Sequence, residues 1–173
     1  MSAEQIRAAI RDVPDFPKPG IIFKDITPIL SDPTLFKATI DILTEQVRAA
    51  AVTKLAAIDA RGFLFAGAIA DRLDIGMVPI RKQGKLPYQT YEQSYDLEYG
   101  TATLAVHRDA FEAGERVAVI DDLLATGGTA LATAQLIEQC GASVATMLFV
   151  VELAFLNGRD KLPGYTVFAP VVY

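Results

Sequence analysis

Apolar residues along this chain arrive in two rhythms, short solid runs and helical stripes. Lys54–Ile58, Met77–Ile80, Thr101–Val106, Val117–Ile120 and Ala142–Val151 are apolar blocks that read as strands. Between them Phe63–Leu73 and Ala130–Cys140 carry helical patterns, the second ended by Gly141. Upstream, Ile6 and Ile10 lie four apart and predict a short amphipathic helix over 4–12. Pro14, Pro17, Pro19 and Gly20 then predict an extended, turning segment, and Ile21–Pro28 continues it as an apolar run broken by Lys24 and Asp25. Asp32–Pro33 starts the next helix, an N-cap followed by proline at the first helical position. Leu35, Phe36, Ile40, Leu43 and Val47 form its stripe. Strands alternating with helices predict an α/β fold, a central and mostly parallel sheet with helices on both faces.

One segment breaks the alternation. Residues 82–100 are polar and carry Tyr88, Tyr91, Tyr95 and Tyr99, four of the six tyrosines. A mobile excursion is expected there, because a lid is one of the few uses of so long a loop.

Composition narrows the setting. At 173 residues the chain suits one domain over 1–173, and a hydrophobic fraction of 51% excludes disorder. The apolar runs fall short of a membrane span. An early acid and a broken apolar pattern at the N-terminus do not make a secretory signal. Cys140 is the single cysteine, so neither an internal disulfide nor a cysteine metal cluster is available. A cytoplasmic setting is expected. The net charge of -5 disfavours a nucleic-acid surface but leaves room for a local basic patch.

The richest chemistry lies in Val117–Thr129. An apolar strand runs into Asp121 and Asp122, then Leu123, Leu124, Ala125, and the turn Thr126-Gly127-Gly128-Thr129 that opens a helix. Glycines let N–H groups converge, the threonines add hydroxyls, and the helix start adds unpaired N–H groups and the positive end of its dipole. That set suits a phosphate monoester. It is neither a Walker loop nor a dinucleotide fingerprint. Ionised Asp121 and Asp122 only accept hydrogen bonds and suit vicinal sugar hydroxyls or a hydrated metal. A tight turn with an acidic approach is the plainer alternative.

Three further places stand out. Asp59-Ala60-Arg61-Gly62 also follows a strand and precedes a helix, and Arg61 offers a donor fork to phosphate oxygens. A capping Asp beside a surface Arg would look the same. Arg81, Lys82 and Lys85 bring three positive charges within five positions, either a solvated face or an anion site at the base of the tyrosine-rich segment. Phe23, beside Lys24, could cover a planar heterocycle or simply fill the core. His107 has no nucleophile or acid spaced around it and reads as a surface residue.

These segments resemble the type I phosphoribosyltransferases. Val117–Thr129 is similar to the motif that binds 5-phosphoribosyl-1-pyrophosphate. Phe16–Pro28, Ala60–Phe63, Arg81–Pro87, Leu97–Gly100 and Asp121–Thr129 resemble, in order, the adenine-using branch, and the resemblance covers essentially the whole chain. It implies one transferase domain with an N-terminal base-binding hood over 1–30 and a flexible catalytic loop over 82–100. The implied reaction is adenine plus phosphoribosyl pyrophosphate giving AMP and pyrophosphate, in purine salvage, with Mg²⁺ held mainly through substrate oxygens and water. Residues Ala125, Thr126, Gly127, Gly128 and Thr129 would cradle the 5′-phosphate, with Asp121 and Asp122 on the ribose hydroxyls. Asp59, Ala60 and Arg61 match the pyrophosphate loop, assisted by Arg81, Lys82 and Lys85. Ile22 and Lys24 would read the adenine edge through their backbone, and Phe23 and Leu123 would wall the base. Glu98 matches a proton-handling carboxylate, with Tyr99 beside it. A homodimer is implied, with the Arg81 position able to reach the neighbouring site.

The sequence departs from the common pattern at Ala60, where Ser is usual, at Lys24, where Arg is usual, and at Tyr88, which replaces a small residue. The rivals are a hypoxanthine-, guanine- or xanthine-using transferase and a non-catalytic regulator that senses phosphoribosyl pyrophosphate. The first would be expected to place a Lys by the exocyclic oxygen, and the second to carry a basic nucleic-acid face. Neither feature is evident in the sequence.

Overall fold

The computed structural model describes residues 2–97 and 100–173. Two compact units, Met1–Ile42 and Leu43–Tyr173, make up the chain.

In the first unit, α1 (Ala3–Ala9) is shorter than the predicted 4–12. Its N-terminus carries a capping box in which Gln5 Oε1 accepts from Ser2 N at 2.9 Å. The next residues, β1 (Arg11–Pro14), pair antiparallel with β2 (Ile22–Asp25). The helix ends early because Arg11 and Asp12 are taken up in pairing with Asp25 and Lys24, and Ile10 is already extended. The Ile21–Pro28 run therefore supplies a strand and then α2 (Thr27–Ser31), neither of which its broken apolar pattern reveals. Helix α3 (Pro33–Ala49) starts where the sequence predicts. Asp32 Oδ1 accepts from Thr34 N at 2.8 Å and Leu35 N at 3.0 Å. Ile40, Leu43 and Val47 of its stripe are buried.

The second unit is built on β3 (Lys54–Ile58), β4 (Gly76–Lys82), β5 (Thr90–Asp96), β6 (Thr101–His107), β7 (Arg116–Leu124), β8 (Ser143–Glu152), β9 (Val167–Phe168) and β10 (Val171–Val172). The strand order is β10-β8-β7-β3-β4-β6-β5, with β9 beside β8. Pairing is parallel from β10 through β4, and β6 and β5 add an antiparallel edge. Helices α4 (Gly62–Leu73) and α5 (Gly128–Gln139) flank the sheet.

Alternation along the strands divides the core. Ala56, Ile58, Val117, Val119, Met147 and Phe149 cluster with Leu136 and Ile137 of α5. The intervening Leu55, Ala57, Ala118 and Ile120 are equally buried and point the other way. Full burial of a Phe149 or Leu136 side chain contributes roughly 1.5–3 kcal/mol.

Two expectations change. The tyrosine-rich stretch is not a structureless excursion, because β5 lies within it and pairs with β6 from Thr90↔His107 to Asp96↔Thr101. Tyr91, Gln93 and Tyr95 form its more buried face, a period of two hidden beneath polar intervening residues. The strand before the glycine turn also continues past Ile120. Asp121 pairs with Phe149, and Leu124 with Glu152, so the acid pair sits on rigid strand rather than loop.

Candidate active site

Parallel register brings the candidate turns together. Ala57 lies beside Ile120 and Ile58 beside Ile80, so Asp59, Arg81 and Asp121 all emerge at the carboxyl ends of neighbouring strands. Ligand sites of open α/β sheets lie at that edge. Asp59 N donates to the Ile80 carbonyl at 2.9 Å, and Arg81 Nε donates to Asp59 Oδ2 at 2.9 Å. The Asp59–Ala60 peptide is cis. Arg61 Nε donates to Asp122 Oδ2, linking the turn after β3 to the acid pair on β7.

A close approach fixes that link. A side-chain carbon added to Gly62 would fall 2.6 Å from the Ile120 carbonyl oxygen. Only glycine lets the start of α4 sit this tightly on β7 and aim Arg61 at Asp122. The Asp122 side chain is 8% exposed and that of Arg61 is 47% exposed, so a buried carboxylate holds a guanidinium that still reaches solvent. Arg81 Nη1 donates to the Lys85 carbonyl at 3.3 Å, and Lys82 and Lys85 are exposed.

Burial pushes the Asp121 carboxyl well above the ordinary carboxylate value, and the adjacent Asp122 charge pushes it further. Asp122 N donates to Asp121 Oδ1 at 2.9 Å. The acid pair is thus charge-crowded, with Arg61 as the nearby counter-charge.

Beyond it the chain turns through Ala125–Gly127 into α5, with Gly127 at φ 82 as the left-handed residue ahead of the helix. A cleft of about 80 Å³ opens there, lined by Asp121, Leu123, Ala125, Thr126, Gly127 and Thr129 among others. Sequence reasoning singled out all six. It placed Tyr95 in a mobile excursion and not against this turn, where its hydroxyl accepts from Thr129 Oγ1 at 3.1 Å and its ring lies 3.1 Å from where a Gly128 side chain would start. The two-residue alternation through Tyr91, Gln93 and Tyr95 was the available signal. Gly158, packed directly behind the loop, left no local signal at all.

The other predicted positions are placed separately. Ile22, Phe23 and Lys24 lie on β2 of the first unit. Phe23 meets Phe16 edge-to-face at 5.2 Å, and Lys24 Nζ donates to Asp12 Oδ1 at 2.6 Å. Glu98 and Tyr99 lie outside the described residues. His107 accepts from Tyr88 N through Nε2 at 3.3 Å.

Against known proteins, the phosphoribosyl transferase domain model matches residues 26–163. The adenine phosphoribosyltransferase of Acidothermus cellulolyticus is 52% identical over 164 residues, which is 95% of this chain and 93% of that protein. The chain belongs to the adenine phosphoribosyltransferase family. The crystal structure of an adenine phosphoribosyltransferase from Thermoanaerobacter pseudethanolicus superposes with a TM-score of 0.96 at 48% identity, covering 99% of this chain and 100% of that one. The Saccharomyces cerevisiae adenine phosphoribosyltransferase, solved with an imino-altritol bisphosphate and adenine, gives a TM-score of 0.93 at 38% identity, covering 97% of each chain. The mixed sheet and flanking helices are those of the type I phosphoribosyltransferase fold, and the chain is an enzyme of the phosphoribosyltransferase class.

Proposed function

We propose that this chain transfers the 5-phosphoribosyl group of phosphoribosyl pyrophosphate to adenine, giving AMP and pyrophosphate, in purine salvage. The observation that carries the reading is the junction at the end of β7. There Asp121, a glycine–threonine turn and a helix start share one cleft, and Arg61 is held against the adjacent Asp122.

Each group has a role that follows from its chemistry. The N–H groups and hydroxyls of Ala125, Thr126, Gly127, Gly128 and Thr129 bind the 5′-phosphate at the positive end of α5. Asp121 and Asp122 accept from the ribose hydroxyls. Asp59, Ala60 and Arg61 hold the pyrophosphate, with Arg81, Lys82 and Lys85 adding positive charge. In the reaction the anomeric C–O bond breaks and its electron pair leaves with pyrophosphate, while an adenine ring nitrogen forms the new bond to carbon. Fixing phosphate and hydroxyls at separate anchors keeps the anomeric carbon in line with that nitrogen. Arg61 stabilises the leaving anion without any covalent nucleophile. Ile22 and Lys24 offer backbone groups suited to the adenine edge, and Phe23 and Leu123 are each apolar groups suited to a ring face. Glu98 takes up the proton that adenine releases, with Tyr99 beside it.

Mg²⁺ fits this donor set. Asp121 is a crowded carboxyl whose anion needs a nearby positive charge, and hard oxygen donors suit a hydrated divalent ion. Among the described residues no three His, Cys, Asp or Glu side chains gather as a ligand cluster, so substrate oxygens and water would supply most of its coordination. When bound, the ion neutralises pyrophosphate charge. We further propose a cytoplasmic homodimer. No helix among the described residues is long and apolar enough to cross a membrane.

The test is pyrophosphate release with adenine, hypoxanthine and guanine offered at equal concentration. Adenine is expected to turn over far faster than the other two. Equal turnover of guanine would overturn the base assignment and leave only the transferase class.

A further inference from the structure

Behind the phosphate loop lies a second layer that takes no part in the chemistry. A side-chain carbon added to Gly158 would fall 2.3 Å from the Ala125 carbonyl oxygen and 3.2 Å from the Gly127 nitrogen. One added to Gly127 would fall 2.3 Å from the Gly158 carbonyl oxygen. Two backbones therefore touch where neither can carry a side chain.

What holds Gly158 in place is its neighbour. Gly158 opens a 3-10 turn, Gly158–Lys161, and Arg159 within that turn grips Glu152 through the two N–H groups along one edge of its guanidinium. Nε donates to Oε1 at 2.7 Å and Nη2 to Oε2 at 2.6 Å, while Nη1 donates to the Val167 carbonyl at 2.9 Å. Glu152 is the last residue of β8, pairs with Leu124 and has a side chain only 7% exposed. Leu124 immediately precedes Ala125. The rigid strands that carry the acid pair thus also anchor a buried carboxylate, and that carboxylate fixes the turn pressed against the loop. Planar two-point geometry is particular to guanidinium, and a lysine cannot reproduce it.

We propose that Glu152 and Arg159 are positioning residues for the 5′-phosphate. Their ion pair presses Gly158 against the Ala125–Gly127 backbone and keeps the loop's N–H groups converged before substrate arrives. The inference rests on the reading of residues 125–129 as the phosphate cradle. A preformed cradle saves the cost of ordering the loop on binding, so its loss weakens phosphate-bearing ligands selectively.

The test compares Arg159→Lys, Glu152→Gln and Gly158→Ala with Thr126→Glu, which sets a carboxylate within the cradle itself. Ribose 5-phosphate affinity is measured by calorimetry, alongside KM for each substrate, kcat and Tm. Arg159→Lys and Gly158→Ala are expected to raise the ribose 5-phosphate Kd and the phosphoribosyl pyrophosphate KM roughly tenfold, with the adenine KM and saturated kcat within about twofold. Gly158→Ala leaves both charges present, so the same signature there ties the effect to loop position and not to the ion pair's contribution to stability. Unchanged ribose 5-phosphate affinity in Thr126→Glu would overturn the cradle reading, and the proposal with it. A loss in Thr126→Glu without one in the other three variants would leave the cradle standing and overturn the positioning role. Equal weakening of adenine and ribose 5-phosphate, or a lower Tm with unchanged KM values, would also overturn it.

Discussion

Asp121 carries the sharpest conflict between stability and function. Burial and the Asp122 charge raise its carboxyl well above the ordinary value of 3.8. A group whose folded-state value is raised takes up its proton more readily folded than unfolded. The stability this confers is complete below the unfolded value and is lost as pH rises through the folded one. In the ligand-free protein Asp121→Asn should therefore raise Tm at neutral pH, and the gain should shrink as pH falls towards the ordinary carboxylate value. Activity should move the other way. Losing one charged acceptor from the ribose hydroxyls should lower kcat/KM by roughly tenfold to a thousandfold. Asp122→Asn should lose activity on the same scale, but without the stability gain, because it gives up the Arg61 ion pair. Melting curves across that pH range and steady-state kinetics on both variants check these outcomes. Wild-type kinetics in both would remove the pair from the ribose.

The β5–β6 pair and the glycine–threonine turn are joined through Tyr95. Its hydroxyl holds Thr129, and its ring covers Gly128 at the start of α5. Strand β5 thus also bears on the start of α5. Tyr95→Phe keeps the ring and removes the hydroxyl, a loss of about 0.5–1.5 kcal/mol if the bond contributes as a typical one does. The phosphoribosyl pyrophosphate KM should rise by roughly two- to tenfold while Tm changes little. An unchanged KM would show that Thr129 needs no help from β5. Gly62 makes the corresponding junction on the other side, seating α4 against the Ile120 carbonyl so that Arg61 reaches Asp122.

Assembly is the remaining level of organisation. Large apolar side chains stay exposed on the chain, including Leu64 on α4 at 48% and Phe155 at 66%. A homodimer would give such residues a partner surface. Arg81, drawn to Asp59 within its own chain at 2.9 Å, sits beside Lys82 at the end of β4, and its Nη1 donates to the Lys85 carbonyl in the turn that follows. Sedimentation at micromolar concentration should give a dimer. A fully active monomer would refute both the dimer and any essential reach of Arg81 across an interface.

Much of this protein was written locally in its sequence. Lys54–Ile58 is a strand with the predicted ends, the Asp32–Pro33 cap begins α3 as expected, and the glycine–threonine turn opens α5. In each case the signal and the structure lie within a few residues of one another, in an apolar run, a cap or a turn. The cleft-lining residues of that turn were legible for the same reason. Other features depended on partners distant in the chain. β5 was hidden because its polar residues alternate with half-buried ones whose burial comes from pairing with β6 and packing near α5. β7 runs on through Asp121 and Asp122 because β8 supplies the next rungs, and no pattern in those residues alone announces them. The meeting of Arg61 with Asp122, 61 positions apart, follows from parallel register and from a glycine tight enough to permit it. The sequence by itself determined which groups could bind phosphate and sugar. Only the tertiary structure decided which of them meet, how far burial shifts their charge, and that Gly158, held by Arg159 and Glu152, braces the loop from behind. Contact, burial and register are relations between distant segments, and a chain acquires them only when it folds.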